Sequence, residues 1–217
     1  MSDRLRIGLA LAALVGLFLL GYAATTTMFT TLGVRLNEHL VAWRCEPLTA
    51  LAVSATAAAS ATVGVTSAIL VPAALWWRRR RRAALHAVTL IGGSLAIALV
   101  AKIVIDEHRP PAHLWVIAPD NPHSFPSGHT TVASALALLA IYLVSARWQR
   151  WAAVIGVFFV GVVAFSRVYL GVHYLIDVVG GMLAASTATL LTIGLLNTSV
   201  VRKRFLGEHN HQATSGI

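Results

Sequence analysis

Ala83-Ala-Leu-His-Ala-Val-Thr-Leu-Ile-Gly-Gly-Ser-Leu-Ala-Ile-Ala-Leu-Val-Ala-Lys102-Ile-Val-Ile105 decides the fold. A helix needs roughly 20 apolar residues to cross the hydrocarbon core of a bilayer. This run has that length and a single lysine, placed near its end. The rest of the chain has the same character. Of 217 residues, 57% are hydrophobic and 12% charged, about half the charge of an ordinary soluble domain, and mean hydropathy is +0.74. Such a chain is neither disordered nor a water-soluble globule. Its length is that of one domain, residues 1–217.

Working outward, the pattern predicts five more spans: Ile7–Ala24, Leu48–Trp77, Thr130–Val144, Trp151–Phe165 and Tyr174–Leu196. The second of these is rich in Ala, Thr and Ser, as expected of a helix packed against other helices. No strand alternation, internal repeat or linker interrupts the series, and the polar tail, residues 207–217, is expected to fray. The predicted fold class is an all-α integral membrane protein of six transmembrane helices. Arg4 and Arg6 ahead of Ile7–Ala24, with Gly21-Tyr22-Ala23 as a cleavage site, also fit a signal peptide. Either outcome leaves the other five spans in place.

Cytoplasmic loops are richer in Lys and Arg than external ones. Arg4, Arg6, Arg78 to Arg82, Arg147, Arg150, Arg202, Lys203 and Arg204 fall on one side of the predicted layout. Arg35, Arg44, Lys102, Arg109 and Arg167 fall on the other. The asymmetry predicts both termini in the cytoplasm of a multi-pass plasma-membrane protein. The net charge of +9 is then a topology signal with attraction to anionic lipid. Nucleic-acid binding is not expected, because no basic stripe is interleaved with stacking aromatics on a soluble face. Trp76, Trp77, Trp148 and Trp151 stand at span ends, where an aromatic belt lies. The one cysteine, Cys45, leaves no partner for an intramolecular disulfide and excludes a cysteine-rich metal site.

The outer side carries the unusual polar residues, in three segments. In Lys102-Ile-Val-Ile-Asp-Glu-His-Arg109-Pro110, Lys102 is either a snorkelling lysine or a functional intramembrane charge. Arg109 follows two helical turns later, so a continuing helix would put both on one face. In Phe125-Pro126-Ser127-Gly128-His129-Thr130-Thr131, the residues before a helix start are either plain capping or an anion site built from unpaired N–H groups. In Ser166-Arg167-Val-Tyr-Leu-Gly-Val-His173-Tyr-Leu-Ile-Asp177, His173 and Asp177 are spaced to meet on a helix face. They are either a packing hydrogen bond or an oriented base. Taken together, three cations, a helix N-terminus, two histidines and a carboxylate meet at one membrane face. That set suits a phosphate dianion, a nucleophile and a proton donor.

The order and spacing of Lys102-x6-Arg109-Pro110, Pro126-Ser127-Gly128-His129 and Ser166-Arg167-x5-His173-x3-Asp177 resembles the type 2 phosphatidic acid phosphatase family. Bacterial acid phosphatases and vanadium haloperoxidases share this pattern. The motifs cover residues 102–177 without a departure, and the six-span layout extends the likeness over nearly the whole chain. The resemblance implies a metal-independent phosphatase without cofactors, acting on a lipid phosphate or pyrophosphate at the outer, periplasmic face of the membrane. It implies that His173 attacks phosphorus and carries a phosphohistidine, that Asp177 holds its imidazole, and that His129 protonates the leaving oxygen. Lys102, Arg109, Ser127, Gly128 and Arg167 would bind the phosphate, the cations filling the electrostatic role of a metal. Undecaprenyl pyrophosphate is the implied first substrate, with phosphatidylglycerophosphate, phosphatidic acid and a polyprenyl-phosphosugar phosphate as alternatives. From other classes, a transporter would spread its charges along several spans, and a silent lipid-binding protein would not need all these residues. A vanadate-dependent peroxidase is expected to be larger and soluble. Asp106, Glu107, His108, His113 and His123 fall outside the motifs and are read as loop or rim residues, and Trp115 as part of the entrance.

Overall fold

The computed structural model describes residues 2–196, and eight α-helices carry most of them. They are α1 (Asp3–Ala24), α2 (Thr27–Val41), α3 (Glu46–Ala57), α4 (Ala61–Trp77), α5 (Arg81–Ile105), α6 (Gly128–Leu143), α7 (Ala146–Tyr169) and α8 (Leu175–Leu196). The expected tail, 207–217, lies outside the described residues. Five stretches are long and apolar enough to cross a membrane: α1, α3 with α4, α5, α7 and α8. These belong to a multi-pass membrane protein. The sixth expected span, α6, has 16 residues, or about 24 Å at 1.5 Å per residue, short of the roughly 30 Å hydrocarbon core.

Small residues hold the bundle together. Helix α1 lies along α8, α5 packs on α4 and α8, and α6 is wedged between α7 and α8. Ala98, Ala101 and Ala184 close around Leu17, Ala24 and Phe125 at one level. Ala83, Ala84, Ala87, Ala135 and Ala185 do so around Leu90 and Ile91 at another. Large apolar side chains such as Leu19, Leu70, Val157 and Phe158 point outward. Association through small residues with bulky ones facing lipid is the reverse of a water-soluble core, because lipid offers no hydrophobic drive between helices. Helix α1 contributes Leu17 and Ala24 to the core, so it is an integral part of this bundle.

The fold corrects two expectations and adds one element. The stretch Leu48–Trp77 is not one helix. It breaks at 58–60, where Ser60 accepts from the Val63 N–H to start α4. As one straight helix it would reach about 45 Å, well beyond the core thickness; the break lets α3 lean on α7 while α4 follows α5. The region between the first two expected spans, for which the apolar pattern made no assignment, folds as α2 with Asn37 buried. Finally, Lys102 and Arg109 do not share a helix face. Asp106, with φ 49°, takes the left-handed conformation that Asp tolerates and ends α5, so Arg109 reaches the site from a loop.

Candidate active site

The loop after α5, the start of α6, the end of α7 and the turn before α8 all meet at one end of the bundle. Chain direction alone ensures this, since α5 and α7 end where α6 and α8 begin. The end is closed by backbone contacts. Ser127 N–H donates to the Asp177 carbonyl at 2.9 Å, and Val116 N–H to that of Leu170 at 2.9 Å. Gly171 has φ 75°, and a Cβ there would collide with the Leu114 carbonyl, so glycine is required by conformation and by space. Arg44 ties the same corner from the α2–α3 side, donating to the carbonyls of Leu114 (2.7 Å) and Tyr169 (3.0 Å).

His173 is 1% exposed and is gripped from both ring nitrogens. Its Nδ1 lies 3.1 Å from Asp177 Oδ2, and its Nε2 lies 3.1 Å from Arg109 Nη1. A guanidinium can only donate, so Nε2 must present its lone pair and Nδ1 must carry the proton toward Asp177. Burial pushes the imidazole down to about 3, against the pull of Asp177, so at neutral pH it is uncharged. The geometry therefore yields a neutral imidazole in one tautomer, with its Nε2 lone pair turned toward the Arg109 guanidinium. His173 stands in the turn before α8 rather than on the helix, contrary to the helical pairing expected from spacing. Asp177 in the first turn of α8 also accepts the Tyr174 N–H at 2.8 Å, which folds the turn back so that the two side chains meet.

The cations surround this pair. Arg109 donates through Nη1 to the Val172 carbonyl (2.6 Å) and through Nε to that of Asn121 (2.6 Å). Lys102, buried at the end of α5, donates to the carbonyls of His123 (2.9 Å) and Ser124 (3.3 Å). Arg167, 1% exposed, is held by Thr56 Oγ1 at 2.7 Å. Ser127 is the N-cap of α6, and Gly128 opens that helix, where the first N–H groups have no partner within the helix. His129 sits in the same first turn, with Nδ1 3.7 Å from Asp120 Oδ2. Asp120 Oδ2 is also 3.9 Å from Arg167. The eight residues singled out in the sequence thus converge on one end of the bundle. Among the described residues, no three of His, Cys, Asp and Glu are grouped to hold a metal ion.

The structure adds residues that the motifs did not mark. Ser124 donates to Asp177 Oδ2 at 2.5 Å. Asn37 of α2 donates to the His173 carbonyl at 3.3 Å, and Thr56 and Asp120 flank Arg167. Ser124 directly precedes the segment that begins at Phe125, but its contact with Asp177, like those of Asn37, Thr56 and Asp120, is made between elements distant in sequence. Glu107, read as a rim residue, is instead 3% exposed. Asp106 and His123 do form a rim pair, 2.6 Å apart.

The chain is 31% identical over 115 residues to an undecaprenyl-diphosphatase of Sulfolobus acidocaldarius, a stretch covering 51% of this chain and 53% of that protein. The match thus spans about half the length of this curated relative. Its fold is similar to that of a PAP2-type phosphatidylglycerolphosphate phosphatase from Bacillus subtilis, with a TM-score of 0.74 at 22% identity over 86% of this chain and 94% of the other. It is also similar to Aquifex aeolicus LpxE, with a TM-score of 0.57 at 19% identity over 75% and 94% of the two chains. A model of the PAP2 superfamily matches residues 83–200, a stretch that contains Lys102, Arg109, the start of α6, Arg167, His173 and Asp177. By that match, over more than half its length, the chain belongs to the PAP2 superfamily.

Proposed function

We propose that this protein is a membrane lipid phosphatase that works through a phosphohistidine on His173, with undecaprenyl pyrophosphate as its first substrate. The observation that carries the reading is the state of His173: neutral, with Nε2 unprotonated beside Arg109 and Nδ1 held by Asp177. Nε2 attacks phosphorus while the P–O bond to the leaving lipid phosphate breaks, and His129 gives that oxygen a proton. Water, deprotonated by His129, then attacks the phosphohistidine, the P–N bond breaks, and inorganic phosphate leaves with Nε2 restored. Arg109, Lys102 and Arg167, with Ser127 and the Gly128 N–H, take up the charge on the equatorial oxygens; phosphoryl transfer draws on such positioning and charge stabilisation.

A lipid is favoured because the site lies at the end of apolar helices. An apolar groove of about 320 Å³, lined by Phe29, Leu32, Leu36, Tyr174, Ile176 and Val179, runs beside the residue that follows His173. The pyrophosphate choice is supported by the Sulfolobus relative, and phosphatidylglycerophosphate is kept as second reading through the Bacillus fold. In the bilayer, α6 is the sixth span, both termini are cytoplasmic, and the site faces the outer side; the inner end then holds Arg78 to Arg82.

The test is phosphate release by the detergent-purified protein in EDTA from polyprenyl pyrophosphates and phosphoglycerolipids, with H173A alongside. Rapid turnover of the polyprenyl pyrophosphate, lost in H173A, is the expected result. Faster turnover of phosphatidylglycerophosphate would transfer the substrate assignment to it, and release undiminished in H173A would overturn the nucleophile. For orientation, H123C in a C45A background is expected to react with an impermeant thiol reagent in intact cells. Labelling only after lysis would invert the topology.

A further inference from the structure

Glu107 has no part in the reaction outlined above, yet it is 3% exposed. Its neighbours in sequence do not share this burial: Asp106 is exposed and paired with His123. The backbone explains the inward turn. Ser124 N–H donates to the Glu107 carbonyl at 2.7 Å, and His108 bridges His123 in antiparallel fashion. The two arms of the loop are thereby clamped, with the Glu107 carboxyl facing Asp177. The charged and titratable groups around it are Asp177 from α8, Lys102 from α5 and Tyr174 from the turn before α8. The Lys102 ammonium donates to the His123 and Ser124 carbonyls, which leaves the carboxyl with Asp177 as its close polar neighbour.

The two oxygens of Asp177 are served unequally. Oδ2 accepts from Ser124, His173 and Tyr174. Oδ1 is buried and has no donor, and neither do Oε1 and Oε2 of Glu107. Two carboxylates side by side cannot donate to each other, and buried polar oxygens without donors are costly. Two like charges in one buried site are costlier still. A single proton removes both penalties: placed on Glu107, it gives Asp177 Oδ1 a donor and leaves one negative charge opposite His173.

We propose that Glu107 is held as the neutral acid and donates a hydrogen bond to Asp177 Oδ1, making a Glu107–Asp177–His173 chain that fixes the carboxylate and, through it, the imidazole tautomer. It is a positioning residue, and its catalytic consequence rests on His173 being the nucleophile. Burial and the Asp177 charge both raise its proton affinity far above the usual carboxylate range, opposed by Lys102. The group is therefore protonated at neutral pH and loses its proton only in alkali. Deprotonation there restores the repulsion with Asp177, so activity should fall on the alkaline side.

The test compares E107Q, whose amide still donates but does not titrate, with E107L, which has no donor. E107Q is expected to keep kcat within about threefold of wild type and to shed the alkaline decline. E107L should lose about tenfold to a hundredfold in kcat with KM little changed. The infrared carbonyl band of a protonated carboxylic acid should be present in the wild type at neutral pH and absent in E107Q. An E107Q as impaired as E107L, an alkaline decline unchanged in E107Q, or a wild type without the band would each overturn the proposal. The band is read without substrate. If no lipid is hydrolysed, the phosphatase reading fails while the position of this proton is still decided; if E107L does not fold, E107Q and the band decide it.

Discussion

Of the three histidines buried among the described residues, His86 and His173 lie at opposite ends of this bundle, and only the second of these two is equipped for chemistry. His86, 3% exposed near the arginine-rich end, stacks on Tyr142 with ring centroids 4.4 Å apart. Its Nδ1 lies 2.9 Å from the Arg82 carbonyl. His173, at the other end, has a carboxylate on Nδ1 and a guanidinium on Nε2. A carbonyl and an aromatic face satisfy a histidine and leave it as packing. A carboxylate and a cation fix its tautomer and aim its lone pair at a place where negative charge can accumulate. Burial is common to both, so burial does not mark the site; the partners of the ring nitrogens do.

The sharpest way to break this contrast is to remove each ring in turn. H173A is expected to lower phosphate release by more than about a thousandfold while the protein still purifies as a folded species. H86A should keep kcat within about threefold but lose about 1–3 kcal/mol of stability from the lost stack and the cavity, seen as a lower unfolding temperature in detergent. Equal losses of activity in the two variants would show that the ends differ less than their partners suggest.

A smaller effect is expected where α6 and α8 touch beneath the site. A Cβ at Gly181 would stand 2.6 Å from the Ser127 carbonyl oxygen and 3.0 Å from the Thr131 nitrogen, both backbone atoms that cannot swing aside. G181A should shift the α6 N-terminus, costing about tenfold in kcat and about 1–3 kcal/mol. G161A, on α7, has nothing within 4 Å of the added methyl and should leave kcat unchanged. Parallel kinetics and melting of the two variants check this, and an active, stable G181A would refute the close-approach reading.

The same contrast also predicts a pH dependence of stability. His173 falls from 6.5 to about 3 on folding, so the unfolded chain takes up a proton that the native state refuses. Its contribution to stability is intact above 6.5 and is lost progressively as pH falls from 6.5 toward 3, by at most about 1.4 kcal/mol per pH unit. The unfolding temperature of the wild type should therefore drop faster over that window than that of H173N. Identical slopes would place the imidazole in a more solvated setting.

Much of the site could be read from the sequence because its members come in local pairs. Lys102 and Arg109 bracket one loop, Ser127 to His129 cap one helix, and Arg167, His173 and Asp177 flank one turn, so order and spacing carry the information. The helices were legible for a similar reason: apolar length is a property of the chain itself, and α5, α8 and the end of α1 fall where hydropathy puts them. Ends were less legible where polar residues stay helical. Helix α7 runs from Ala146 to Tyr169 because Arg147, Gln149 and Arg150 begin it outside the apolar stretch. Helix α2 escaped notice because its 15 residues carry too many polar groups to resemble a span.

By itself, then, the sequence determined a multi-pass helical membrane protein and the cluster of cations, histidines and carboxylate at one end of it. Apolar run length and the placement of Lys and Arg are one-dimensional quantities, and each motif closes within a few residues. Only the tertiary structure decided that Ser124 and Tyr174 crowd onto one oxygen of Asp177, that Thr56 and Asn37 reach in from distant helices, and that Glu107 turns inward while Asp106 faces out. Each of those facts depends on which elements lie side by side after packing, and on which polar atoms packing leaves without water. Neither quantity can be read from residues taken in order.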